Sequence, residues 1–203
     1  TSCAFADYDR DGDLDLYVAT YVAYDPQAAT ADQIPYMADY QNYGGQAPPS
    51  YPHPDNFPGQ SDLLYRNDGR KGFADVSATA GIADAVGKGL GVVFGDYDRD
   101  GWPDLYACNF TEPNALYRNR GNGTFADQSE ESGTRLNGWY WGSGFLDLDN
   151  DGWLDLYVCG FDCPNRLYLN RLQGSERVLV ESARSLGVDF SGASIIGTFA
   201  DYD

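Results

Sequence analysis

The chain has 203 residues, of which 42% are hydrophobic and 15% aromatic, and this composition excludes wholesale disorder. Its net charge of −18 argues against a nucleic-acid partner, because binding to phosphates requires a basic face. No apolar run approaches the roughly 20 residues of a membrane-spanning helix, and the 24 glycines and 10 prolines favour short strands over long helices.

Four Asp-rich segments divide the chain into repeated units. Their first aspartates are Asp7, Asp96, Asp147 and Asp201. A second landmark, Leu-Tyr-x-Asn, follows 20 residues later in the second and third units (96 to 116, 147 to 167) but 57 residues later in the first (7 to 64). The first unit therefore carries 57 − 20 = 37 extra residues, and one period of about 51 residues describes the whole chain.

Within each unit the residues predict four short strands. In the second unit an apolar run, 91–95, leads into the Asp-rich segment and 105–108 leaves it. Two more runs, 115–118 and 124–127, flank a Gly-Asn-Gly turn. Aromatic and β-branched runs separated by turn residues are typical of antiparallel strands, and four strands in 40–50 residues are typical of a β-propeller blade.

We therefore predict an all-β protein, a partial β-propeller of four-stranded antiparallel blades with about 51 residues per blade. The expected blades are approximately 1–85, with an insertion at 24–61, then 86–137, 138–190 and the start of a further blade at 191–203. A solenoid is the alternative architecture. Three blades cannot close a propeller, so either the chain is a fragment, which we favour, or other chains complete the ring.

The Asp-rich segments have the acids of a calcium-binding loop. Numbered from the first Asp, each complete segment has carboxylates at positions 1, 3, 5 and 9 and Gly at position 6. We expect the position-7 carbonyl to supply a further oxygen. The candidate ligands are Asp7, Asp9, Asp11, Asp13 and Asp15 in loop 1, Asp96, Asp98, Asp100, Trp102 and Asp104 in loop 2, Asp147, Asp149, Asp151, Trp153 and Asp155 in loop 3, and Asp201 and Asp203 at the start of a fourth.

Electrostatics supports a divalent ion in each loop. Like charges about 4 Å apart repel by about 4 kcal/mol per pair at an effective dielectric of 20, so four clustered carboxylates need a cation. Flexible all-oxygen coordination favours Ca²⁺ over Mg²⁺, and zinc would require His or Cys. An EF-hand would need Glu at position 12, where this chain has Val18, Ala107 and Val158. A solvated acidic turn could explain one loop, but three at a fixed period predict about three Ca²⁺ ions.

These motifs resemble a known repeat family. The pattern Asp96-Tyr-Asp-Arg-Asp-Gly-Trp-Pro-Asp-Leu-Tyr106, followed by Leu-Tyr-Arg-Asn and Gly-x-Gly-x-Phe, resembles the FG-GAP/VCBS repeats of integrin α-chain propellers. More closely, it is similar to the bacterial ASPIC/UnbV, cartilage acidic protein-like family, as is the insertion ending in Phe57-Pro-Gly-Gln-Ser-Asp62. The resemblance implies a propeller with calcium between the first two strands of each blade. The third unit departs from the pattern at Glu176, where the other units have Phe. The pattern therefore predicts the outer strand of this unit less strongly than those of the others.

Several features outside the loops have two readings. The Tyr- and Pro-rich insertion should lie on the face opposite the loops, as either a packed lid or a ligand site. Cys159 and Cys163 could form a disulfide, or the cysteines could be small buried thiols. Arg66 and Arg118 could pair with carboxylates between blades. Two sequences, 109–111 and 122–124, fit the N-glycosylation rule.

The function that these observations predict is a calcium-stabilised extracellular propeller, secreted or on the cell surface. It would serve in recognition of a protein or glycan, in adhesion, or as a structural module. One alternative is a self-assembling subunit of a filament or matrix. The other is the propeller domain of a carbohydrate-active lyase, although no catalytic constellation is visible and a non-enzymatic role is expected.

Overall fold

The structure, a computed structural model, describes residues 2–23, 54, 57–82, 87–110 and 112–198. Within them the chain forms three four-stranded antiparallel sheets, each built from strands in sequence order. The all-β prediction and the four strands per unit are confirmed. Most of the insertion, together with Asp201 and Asp203, lies outside the described residues.

The strands of each sheet repeat the same lengths and turns. Sheet 1 contains β1 (Ser2–Ala6), β2 (Asp15–Ala19), β3 (Leu63–Asn67) and β4 (Phe73–Asp75). Sheet 2 contains β5 (Gly89–Gly95), β6 (Asp104–Asn109), β7 (Ala115–Asn119) and β8 (Phe125–Asp127). Sheet 3 contains β9 (Tyr140–Leu146), β10 (Asp155–Gly160), β11 (Arg166–Gln173) and β12 (Glu176–Glu181).

Short helical turns accompany the outer strands. A 3₁₀ turn, Gly69–Lys71, joins β3 to β4, and the one-turn helices α1 (Ser77–Ala80) and α2 (Ala183–Leu186) follow β4 and β12. Neither described α-helix has the length and apolarity that crossing a bilayer would require.

The core lies between the sheets, and sheet 2 is covered on both faces. Successive residues of a strand point to opposite faces, so Leu105 of β6 packs with Tyr17 of sheet 1 while Tyr106 packs with Leu156 of sheet 3. Every residue of β6 is consequently buried. The three sheets thus pack side by side in chain order.

The first strands of adjacent sheets approach each other so closely that only glycine fits at one point. A Cβ on Gly91 of β5 would lie 2.3 Å from the carbonyl oxygen of Trp141 on β9. Gly89 also donates a backbone hydrogen bond to the Thr20 carbonyl, with an N···O distance of 2.5 Å. These backbone contacts, from β5 to β9 and from β5 to the end of β2, hold neighbouring sheets close together.

The face away from the Asp loops carries the ends of the insertion and a run of aromatic rings. Val22 and Gly59 form an isolated bridge, so the insertion leaves and rejoins sheet 1 at this face. Neighbouring rings lie 4.6 to 6.0 Å apart across the three sheets in the order Tyr21, Phe110, Trp139, Phe161 and Trp141.

All four cysteines are free thiols. Cys108 and Cys159 are buried, Cys163 is half-buried and Cys3 is exposed. The structure therefore has no disulfide between Cys159 and Cys163, and it agrees with the buried-thiol reading at Cys108 and Cys159 but not at the exposed Cys3.

Candidate metal centres

The three loops occupy equivalent places, each joining the first two strands of a sheet. In each loop, oxygens from positions 1, 3 and 9 lie within 4.8 Å of one another. These groups are Asp7, Asp9 and Asp15, then Asp96, Asp98 and Asp104, then Asp147, Asp149 and Asp155. The predicted loops therefore bring together three of their four Asp positions in every copy.

The aspartate at position 9 anchors each loop to its sheet. Asp104 is fully buried, and its two oxygens accept hydrogen bonds from the backbone N–H of Tyr97 (3.1 Å) and Asn119 (2.8 Å). Asp15 and Asp155 repeat both bonds in their own loops. This carboxylate therefore ties the start of the loop to the third strand.

Burial makes these carboxylates costly in their charged form. It raises the pKa of Asp104 to about 8 and that of Asp15 to about 6, and it also raises the pKa of Asp155. Neighbouring carboxylates add to the burial effect that raises the pKa of Asp9. A cation at the same place would stabilise the charged form and reverse these shifts.

The aspartate at position 1 holds the middle of the loop. Asp96 accepts hydrogen bonds from the backbone N–H of Asp100 (3.1 Å) and Gly101 (2.9 Å). Asp7 accepts the equivalent bond from Gly12 (3.1 Å), but its Oδ1 is buried and has no hydrogen-bond partner. A buried acceptor without a donor is rare in proteins, and a cation would satisfy it.

Two left-handed residues curl each loop around its carboxylates. The residue at position 4 has φ of 58° at Arg10 and 55° at both Arg99 and Asn150. The glycine at position 6 has φ of 97°, 92° and 85° in loops 1 to 3. Glycine adopts such angles without a steric penalty, and this curl lets position 9 return to position 1.

The aspartates at position 5 take a different part. Their Oδ1 atoms accept the backbone N–H of position 7 at 2.9, 3.0 and 2.9 Å, and they lie outside the three-oxygen groups. Metal ligation by Asp11, Asp100 and Asp151 stays a prediction, as does ligation through the carbonyls of Asp13, Trp102 and Trp153. A Cβ on Gly69 would lie 3.4 Å from the Asp13 carboxylate, so that side chain lies beside the 3₁₀ turn.

Arginines from the third and fourth strands, outside the loops, pair with the carboxylates at positions 3 and 5. Arg118 binds Asp98 and, at 3.1 Å, Asp100. In loop 3, Arg171 pairs with Asp149 and Arg177 with Asp151 (2.8 Å). These pairs form within one sheet and its own loop, so the expectation that Arg118 bridges two blades is wrong.

Arg66 differs from its counterpart Arg118. It pairs with Asp68 at 2.8 Å, also within its own sheet and therefore not between blades as expected. The side chain of Arg66 instead lines a cleft of about 400 Å³ between loops 1 and 2. Other residues of this cleft are Tyr8, Asp9, Trp102, Asn122 and Thr124. The cleft has the volume of a small-molecule site, but its lining is more polar than is usual for one.

The two glycosylation sequences differ in accessibility. Asn109 is buried, and its side-chain amide donates to the Pro113 carbonyl at 2.7 Å. Asn122 is exposed in a turn and accepts a hydrogen bond from the Thr124 hydroxyl at 2.7 Å. Of these two, only Asn122 presents a side chain at the surface.

Comparison with known proteins identifies the repeat. The profile of the FG-GAP-like repeat matches residues 56–107 and 96–158, which together span just over half of the chain. Cartilage acidic protein 1 of Homo sapiens is 34% identical over 137 residues, which is 66% of this chain and 19% of that protein. The Mus musculus protein of the same name is 33% identical over 137 residues, covering 66% and 20%.

A third relative matches over a shorter stretch of the chain. Cartilage acidic protein 1 of Xenopus tropicalis is 30% identical over 99 residues, which is 48% of this chain and 15% of that protein. The chain thus spans about a fifth or less of the length of the curated relatives it matches.

Proposed function

Because the chain belongs to the FG-GAP-like repeat family and is homologous to Cartilage acidic protein 1, we propose that its three sheets are consecutive blades of a β-propeller, each holding one Ca²⁺. The blades would correspond to residues 1–85, 86–137 and 138–190, with a further blade starting at 191. The observation that carries the calcium proposal is the group of three carboxylates that recurs in loops 1 to 3.

The residues of each loop fit a calcium ion. The three grouped side chains of each loop all offer carboxylate oxygens, the type of ligand that hard cations select, and the curled backbone can adjust to the long bonds of calcium. The unpartnered Oδ1 of Asp7 supplies an acceptor that the protein itself leaves without a donor. Calcium would supply a positive charge close to the buried carboxylates of Asp15, Asp104 and Asp155 and so stabilise their charged form.

The proposed role of calcium is to hold the loops in place rather than to take part in a reaction. Position 9 already joins the loop to the third strand, so an ion bound there would connect both ends of the loop to the sheet. A ligand present at 100 times its dissociation constant adds about 2.7 kcal/mol of stability per site. Three sites would therefore contribute a large part of the marginal stability of a domain.

We further propose an extracellular setting, secreted or at the cell surface. The relatives carry the name of an acidic cartilage protein, and this chain is also acidic, with a net charge of −18. Calcium sites of extracellular modules typically have dissociation constants of about 10⁻⁴–10⁻³ M. The cleft beside loop 1 is the place where we propose that a protein or glycan binds.

Chelation tests the calcium proposal directly. Removing calcium should lower the melting temperature of the wild-type chain, because bound ions stabilise only the folded state. Asp96→Asn combined with Asp98→Asn should reduce the bound calcium by one ion per chain and shrink the effect of the chelator. Glu131→Gln, which removes an exposed charge outside the loops, is the matched control and should behave as wild type. A melting temperature indifferent to chelator would refute the proposal.

Recognition has a separate test at the cleft. Binding of the calcium-loaded protein to a printed glycan array and to extracellular-matrix proteins would be compared with that of Asn122→Trp, which places an indole in the cleft. Loss of binding in the variant would support recognition at this place. Undiminished binding would show that the ligand contacts another surface.

A further inference from the structure

Consecutive Asp loops contact each other through the side chains at position 4 and position 7. The guanidinium of Arg10 in loop 1 lies over the indole of Trp102 in loop 2, with its carbon 5.5 Å from the ring centroid. Arg99 in loop 2 lies over Trp153 in loop 3 at 5.3 Å. Such contacts between a cation and an aromatic face are attractive. The same pair of positions therefore joins loop 1 to loop 2 and loop 2 to loop 3.

A buried asparagine makes a second, independent link. The backbone N–H of Asn119 donates to Asp104, the anchor of loop 2, at 2.8 Å. Its side-chain amide donates to the carbonyl of Tyr8 in loop 1 at 2.8 Å and to that of Pro103 in loop 2 at 3.1 Å. Asn119 is fully buried, so no water replaces these bonds. One residue thus contacts the metal-binding loops of two sheets.

Sheet 3 repeats this link with the same geometry. Asn170 donates its backbone N–H to Asp155 at 2.8 Å and its side-chain amide to the carbonyls of Tyr97 (2.8 Å) and Leu154 (3.2 Å). In sheet 1, Asn67 makes the bonds to Asp15 and to the carbonyl of its own loop. The repetition shows that the link belongs to the junction between two loops.

Both links depend on the curl that brings the carboxylates together. Arg10 and Arg99 reach the next loop from the left-handed backbone at position 4. A Cβ on Gly101 would lie 3.0 Å from Arg10 Nη1, so the glycine of the next loop leaves room for this arginine. The Tyr8 carbonyl that Asn119 binds belongs to a residue whose N–H is held by Asp15. A change of loop shape would therefore move both contacts.

We propose that the Asp loops are coupled in series, so that filling one loop with calcium raises the affinity of the adjacent loop. This inference rests on the proposed function. An ion that fixes loop 1 also fixes Arg10 and the Tyr8 carbonyl, which position Trp102 and Asn119 around loop 2. Coupling between sites is reciprocal and commonly amounts to a 5- to 150-fold change in affinity. Because two contacts join each pair of loops, we expect a filled loop to raise the calcium affinity of its neighbour by about 5- to 30-fold.

The test isolates the junction between loops 1 and 2. Loop 3 is disabled in all proteins by Asp147→Asn and Asp149→Asn, and calcium alone is titrated by calorimetry. Disabling loop 1 as well, with Asp7→Asn and Asp9→Asn, leaves the intrinsic affinity of loop 2. Loop 2 should bind calcium about 5- to 30-fold more weakly in that protein than beside an intact loop 1.

The linking residues give the second half of a double-mutant cycle. In Asn119→Ala or Arg10→Gln, disabling loop 1 should change the affinity of loop 2 much less. Asn67→Ala is the matched control, because it removes an equivalent asparagine that makes no bond between loops in the described residues, and the full effect should persist. Arg10 is exposed, so Arg10→Gln serves if Asn119→Ala does not fold.

Two results separate the failure of this inference from the failure of the proposed function. If loop 2 binds calcium equally well with loop 1 intact or disabled, the loops are independent and the coupling is refuted while calcium binding stands. If the loops bind no calcium, the proposed function itself fails. An undiminished coupling in Asn119→Ala and Arg10→Gln would refute the assignment of these residues.

Discussion

Replacing Asn119 by alanine should destabilise the protein by about 3 kcal/mol, more than the same change at Asn67. Asn119 loses bonds to the carbonyls of Tyr8 and Pro103 and one accepted from Gly121 (2.9 Å). A hydrogen bond contributes about 0.5–1.5 kcal/mol net, and burial adds a penalty for partners left unpaired. For a chain of this length 1 kcal/mol shifts the melting temperature by about 2–4 °C, so a fall of about 6–12 °C is expected.

Comparison of Asn119→Ala with Asn67→Ala isolates the hydrogen bond from Asn119 to Tyr8, because Asn67 makes no equivalent bond to a neighbouring sheet among the described residues. Asn67 loses only its bonds to Leu14 and Gly69, at 3.1 and 3.0 Å, and water can replace them because this residue is half-buried. We expect a loss of about 1–1.5 kcal/mol, or about 2–6 °C. Both variants would be melted by circular dichroism at one fixed calcium concentration. Equal shifts would show that the bond from Asn119 to Tyr8 contributes nothing, and would refute the reasoning.

Two further predictions concern packing between sheets and thiol chemistry. Gly91→Ala should cost about 1–3 kcal/mol, because its Cβ would lie 2.3 Å from the Trp141 carbonyl oxygen, and an unchanged urea midpoint would contradict this contact. Iodoacetamide at pH 8 should label the exposed Cys3 but not Cys108. Burial raises the pKa of the Cys108 thiol to about 12, so it remains protonated until far higher pH, and its labelling without denaturant would contradict the buried placement.

The repeat made the sheets and the loops predictable, because strand order and turn chemistry are local properties. The spacing of Asp7 and Asp15 placed both on one curled loop, and the structure confirms that their oxygens lie together. Because Glu176 replaces the Phe of the other units, the pattern predicted the fourth strand of sheet 3 less strongly. The structure nevertheless contains this strand, β12, with six residues. Gly174, with φ of 66°, lies in the short turn before β12, where a glycine of this conformation favours a hairpin.

Contacts between units could not be read from the repeat. Asn119 and Tyr8 are separated by 111 residues, and their bond depends on how two sheets pack rather than on either motif. In the sequence, Asn119 belongs to the Leu-Tyr-x-Asn motif, which marks the period of the repeat but indicates no contact with loop 1. Arg118 shows the same limit, since its partner depends on side-chain conformation, and it turned toward its own loop rather than the next blade.

Calcium in the three loops is tested most directly by a crystal structure of the chain grown in millimolar calcium, with anomalous data collected to locate the ions. We expect one anomalous peak in each loop, between the oxygens of positions 1, 3 and 9, and shorter distances from those oxygens to a common centre. Loops that keep their present shape with no peak between the carboxylates, or that splay apart in calcium, would contradict it.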